Sequence, residues 1–126
     1  MSQIQVAAIQ FEIHQTPLEK VSYEGANLLV EFDEVQGRRV RLIFSPWQAL
    51  KVTTVDCFDV QTLLIDGYLN RRLLELTESQ WIAALKEELH QHDHQATFLN
   101  QAHHFVLPFQ ENIVEVVAWG FEYHIL

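Results

Sequence analysis

Basic side chains are scarce in this chain. Eight lysines and arginines face seventeen aspartates and glutamates, a formal net charge of −9 with histidine neutral. A field of that sign repels phosphate backbones, which argues against nucleic-acid binding unless a local basic patch exists. The densest basic stretch is Arg38, Arg39 and Arg41, with Arg71 and Arg72 further on. On a strand, Arg39 and Arg41 share one face and Arg38 takes the other. No aromatics interleave them, so a solvated strand face paired with acidic neighbours is expected.

Other scarcities narrow the classes further. Cys57 is the single cysteine, so no intramolecular disulfide forms and nothing suggests an oxidising compartment. The longest apolar run is Trp81-Ile82-Ala83-Ala84-Leu85, where a membrane-spanning helix needs roughly 18 residues. The start, "MSQIQVAAIQ", lacks the basic and apolar segments of a signal peptide. A cytoplasmic protein with no membrane association is expected. Four glycines and three prolines are scattered along 126 residues, so neither a linker nor a low-complexity tract stands out. A single domain is expected. There is no Gly-rich phosphate loop, no Gly-x-Ser-x-Gly elbow and no Cys-x-x-Cys pair. Cys57 has no local nucleophile signature and reads as a small buried hydrophobe.

What is present is patterning. Ile9, Phe11 and Ile13 alternate with polar residues across 5–14, the period of a half-buried strand. Leu28, Val30 and Phe32 repeat the pattern across 27–33, and Val40, Leu42 and Phe44 across 38–44. Gly37 lies between these two runs, where a hairpin turn wants it. "ALKVTTVDCF" is rich in β-branched residues; "DVQTLLIDGYLNRRLLEL" fits strand or helix, and the preferred reading is a hairpin-like excursion at Asp66-Gly67 with a strand near 72–76. Late in the chain, Phe105, Leu107 and Phe109 share one side of a strand over 104–109. A turn at 110–112 leads to a strand over 113–119, and Gly120 marks a bend before "FEYHIL".

Between these strands Thr77-Glu78-Ser79-Gln80 has the form of a capping box, with Thr77 as the cap. Trp81, Ile82, Leu85 and Leu89 then recur on one face, which predicts a helix over about 77–92. The expected fold is α+β: an antiparallel meander of about six strands with this helix packed on one face. Trp81, Leu85 and Leu89 are expected against Phe105, Leu107 and Val116.

Five of seven histidines fall in "HQHDHQATFLNQAHHF". His90 and His94 have the i, i+4 spacing that delivers two metal ligands to one helix face, and His104 is a candidate third ligand. Cationic and polar side chains at a helix C-terminus also solvate its last carbonyls and oppose its dipole. That plainer reading is preferred, so no metal or other cofactor is assigned. His103 and His104 are consecutive on a strand and face opposite ways.

"FSPWQALKVTTVDCFD", "LLELTESQWIAALKEE" and "HHFVLPFQENIVEVVAWGFE", within residues 40–122, resemble small bacterial α+β domains of unknown function. Some of those look like immunity proteins that accompany secreted toxins. The resemblance implies no catalytic residue, and the His-rich helix end departs from it. The function expected is a non-enzymatic acidic binding module for a basic protein partner, possible as an inhibitor of a toxin, with Trp47, Asp33 and Glu34 as contact residues. A small metal-dependent enzyme built on the His90–His104 cluster is the alternative. A strand edge such as "FEYHIL" offers a route to a homodimer.

Overall fold

The alternating runs build two sheets rather than one. A computed structural model describes residues 3–14 and 18–126. Among them the strands are β1 (Gln3–Ala8), β2 (Lys20–Glu24), β3 (Asn27–Asp33), β4 (Arg39–Phe44), β5 (Trp47–Thr54), β6 (Leu73–Thr77), β7 (His103–Pro108), β8 (Asn112–Ala118) and β9 (Phe121–Ile125). One α-helix, α1 (Gln80–His92), follows β6. Every strand pairing is antiparallel, in a five-stranded sheet of order β1-β6-β7-β8-β5 and a four-stranded sheet of order β2-β3-β4-β9. The expected six-stranded meander is therefore corrected. Chain neighbours lie side by side in β2-β3-β4 and in β6-β7-β8, but β5 leaves its chain neighbour β4 and pairs with β8 across the molecule.

The two sheets stack around one core. Leu28, Val30, Phe32, Val40, Leu42 and Phe44 from the four-stranded sheet meet Leu73, Phe105, Leu107, Val114, Val116 and Ala118 from the five-stranded one. Period-two alternation is what places each of these on the shared interior. Ring pairs lock the layers: Phe44 lies 5.4 Å from Phe105, and Phe32 lies 5.5 Å from Phe109, centroid to centroid. Such tilted pairs each add about 0.5–1.5 kcal/mol beyond the area they bury.

The outer faces differ. On the five-stranded sheet Leu74, Val106 and Ile113 pack under Leu63, with Phe58, Val60 and Ile65 adjoining, so the 55–69 segment forms a lid. Helix α1 lies beside it over β7. Phe105, Leu107 and Val116 face the other sheet, so the expected packing of Trp81, Leu85 and Leu89 on them is corrected. The helix covers the opposite face of β7, and none of its residues is fully buried. The expected strand over 5–14 ends at Ala8. Phe11 and Ile13 still turn into the interior, and Ile13 N–H bonds the Arg71 carbonyl. Among the described residues no helix is long and apolar enough to cross a membrane.

Candidate functional site

Where β6 runs into α1 the chain bends sharply. Thr77 ends the strand opposite Gln3, and its hydroxyl donates to the Gln3 carbonyl at 3.1 Å. Glu78 takes φ +54°, and Ser79 then caps the helix by accepting the Ile82 N–H at 3.1 Å. The cap is thus Ser79 and not Thr77, because pairing with β1 holds Thr77 in the strand.

Ser79 reaches down onto the sheet. Its Oγ lies 2.7 Å from His104 Nδ1, and His104 Nε2 lies 2.9 Å from Glu115 Oε1. All three are buried, with relative exposures of 9%, 3% and 6%. The donors and acceptors balance when the ring proton sits on Nε2: Ser79 donates to Nδ1, and Nε2–H donates to Glu115. The Trp81 ring stands edge-on to His104 with centroids 5.2 Å apart. Lys51, directly opposite Glu115 in the β5–β8 ladder, places its Nζ 4.2 Å over the Trp81 ring.

A serine, an imidazole and a carboxylate are also the groups of acyl-transfer triads. Here the ring is reversed, with the serine on Nδ1 and the acid on Nε2. The serine oxygen also carries the helix cap. The trio works as a paired, buried polar network that fixes the Glu115 carboxylate. That matters because an unpaired polar group at such a site costs about 1–3 kcal/mol.

Glu115 also borders a hollow of about 440 Å³. Leu76 and Val106 form its floor with Glu115, Phe58, Thr62 and Leu63 come from the lid, and Gln80 closes the helix side. The hollow is the gap that the lid and the helix leave over the sheet.

The histidines of the 90–105 stretch scatter. His90 Nε2 lies 3.2 Å from the Ala96 carbonyl, His92 pairs with Glu88 at 3.3 Å, and His94 is exposed beyond the helix end. His103 pairs with Glu75 at 2.8 Å, on the opposite face of β7 from His104. The structure does not bring His90, His94 and His104 to one place. Among the described residues no three His, Cys, Asp or Glu side chains stand where they could share a metal ion. Cys57 is exposed, which corrects its reading as a buried hydrophobe; it lies in a 3-10 turn, Val55–Cys57, outside the packed layers.

The other contact candidates are held internally. Glu34 is 2% exposed and takes Arg38 Nε at 3.1 Å and Arg38 Nη2 at 3.4 Å. The Arg38 side-chain hydrogen bond holds its carboxyl below the usual carboxylate range, against the opposing pull of burial. Asp33 pairs with Arg39 at 3.0 Å. Trp47 is half-buried at the start of β5, donating its Nε1–H to the Gly25 carbonyl at 3.0 Å. Arg41 pairs with Glu31, Arg71 donates to the Pro108 and Phe109 carbonyls, and Arg72 donates to those of Ile9 and Phe11. All five arginines therefore have internal partners.

The remaining charge is uneven. Residues 55–69 carry three acidic and no basic side chains, and residues 78–93 carry four acidic and one basic. The covering layer thus holds six of the nine net negative charges. The four strands of the other sheet hold four acidic and three basic side chains, one net negative charge.

Sequence reasoning singled out His104 but missed Ser79 and Glu115 as its partners. Glu115 is the lone acidic residue in the apolar strand "IVEVVA", whereas Ser79 stands at the helix start with no local sign of a partner on the sheet. No protein family, characterised protein or solved structure matches the chain.

Proposed function

We propose that this protein is a non-enzymatic binding module that engages a basic protein partner through the layer covering its five-stranded sheet. The observation that carries the reading is the segregation of charge. The lid at 55–69 and the helix with its flanks at 78–93 hold six net negative charges, while the arginines that could offset them are paired elsewhere. A concentrated field of one sign speeds encounter with an oppositely charged partner and aligns it before contact. An inhibitor of a basic toxin is the narrower form of this reading, and the acidic layer suits it.

Calorimetry with a nona-arginine peptide as probe tests the reading. The wild type should bind, with affinity falling by about tenfold or more as salt rises from about 50 to about 500 mM. The combined variant Asp56→Lys/Asp59→Lys/Glu87→Lys/Glu88→Lys should abolish binding, while Glu24→Lys/Glu122→Lys on the other sheet should leave most of it. Equal losses from the two variants would sink the assignment to the covering layer.

A further inference from the structure

An acidic surface attracts any cation; a built site selects one. The hollow beside Glu115 combines two features that belong together only for a particular kind of ligand. Leu76, Val106, Phe58 and Leu63 make its floor and lid side mostly apolar, and a carboxylate stands among them. Carboxylates are rare in such surroundings unless paired, because the charge loses its water. Glu115 has one oxygen on His104 Nε2. The cation directly across the ladder, Lys51, has turned its Nζ onto the Trp81 ring instead.

We infer that this hollow receives one arginine or lysine side chain of the basic partner. The aliphatic stem lies on Phe58, Leu76 and Val106, and the cationic head meets Glu115. Long basic side chains bury their stems on apolar surface while keeping the charge at a polar group, and that is the chemistry the hollow offers. A volume of about 440 Å³ has room for such a side chain. Ser79 and His104 act here as positioning residues: they fix the carboxylate before the partner arrives, so little side-chain freedom is lost on binding. The surrounding acidic layer supplies attraction, and the hollow supplies a fixed point of register. This inference rests on the binding-module reading and adds to it the group that is gripped.

The test is a titration of isotope-labelled protein, followed by amide chemical shifts, with N-acetyl-arginine methylamide and its neutral counterpart N-acetyl-norleucine methylamide. The arginine probe should shift the amides of Phe58, Thr62, Gln80 and Glu115 and bind about fivefold or more tightly than norleucine. Glu115→Gln keeps an oxygen for the His104 N–H but removes the charge, and it should bring arginine down to the norleucine level. Gln80→Trp, which fills the hollow from an exposed helix position and leaves Glu115 intact, should block both probes. That variant keeps the test decisive if Glu115→Gln does not fold. Arginine shifts elsewhere, or shifts no stronger than those from norleucine, overturn the inference. If nona-arginine still binds the covering layer in that case, the binding-module reading stands without the hollow. If nona-arginine does not bind there either, both fall together.

Discussion

The two sheets bury the same interior and treat their outer faces in opposite ways. Among the described residues no helix or lid covers the outer face of the four-stranded sheet, and its half-buried side chains form a charge row across the strands. Lys20 lies opposite Glu31, Glu31 opposite Arg41, and Arg41 opposite His124. Cross-strand pairs of this kind make a solvated face nearly neutral at little cost in desolvation. On the five-stranded sheet the outer face lies under a lid and a helix. Its central strands read as almost unbroken apolar runs, buried on both sides. Where a polar residue stands on that face it must be paired, as Glu115 is with His104 and His104 with Ser79. Charge excluded from the covered face gathers on the cover itself. One sheet thus balances its charge in place, and the other displaces it outward, where a partner can meet it.

The difference can be sharpened or broken by substitution. The largest effect is expected in the shared interior. Phe44→Ala should cost about 3–5 kcal/mol, read by denaturant unfolding, and should destabilise both sheets together. Next comes His104→Leu, which strands Ser79 and Glu115 without their partner and should cost about 2–4 kcal/mol. Hydrogen exchange should then show α1 losing protection first while β3 and β4 keep theirs. Equal loss in both sheets would break the comparison, since it would make cover and bare sheet one cooperative unit. Ser79→Ala should cost about 1–2 kcal/mol by removing the helix cap, whereas Thr77→Ala, which loses only an exposed bond to the Gln3 carbonyl, should cost about 0.5–1 kcal/mol. A reversed order would restore Thr77 as the cap.

Smaller effects belong to the bare sheet and its rim. The carboxyl of Glu34 sits below its usual value near 4.5 because Arg38 bonds the charged form. Its stabilising effect is therefore complete above that value and fades as pH falls through the lowered one. The stability gap between wild type and Glu34→Gln should be steady from neutral pH to about 5 and close on further acidification. A gap that widens in acid would contradict the pairing. Least of all, Arg41→Gln should cost about 0.2–1 kcal/mol and matter less in high salt, since its pair with Glu31 is only partly buried.

The same contrast explains what could be read before the structure. β3 and β4 showed clearly because one face of each is wet, and alternation marks such strands. β7 was placed from Phe105, Leu107 and Phe109, and the bend at Gly120 separated β8 from β9. Alternation says which residues face inward, but not which strand lies alongside. Nothing local in "ALKVTTVDCF" shows that β5 pairs with β8 rather than with β4, because that choice is made by packing between distant segments. β2 was missed because Lys20, Ser22 and Glu24 face water and leave only Val21 and Tyr23 as a pattern. Thr77 and Ser79 were both able caps, and the pairing of Thr77 with Gln3 decided between them. The Ser79–His104–Glu115 network was invisible for a related reason: a polar residue on a strand is buried only once a distant helix has covered it.

On the proposed function, the covering layer and not the four-stranded sheet meets a basic partner. The most direct measurement is residue-by-residue mapping of nona-arginine binding on labelled protein at low salt. Amide shifts should concentrate in residues 55–69 and 78–93, with β2, β3, β4 and β9 nearly silent. Shifts spread evenly over both faces, or gathered on the four-stranded sheet, would contradict it.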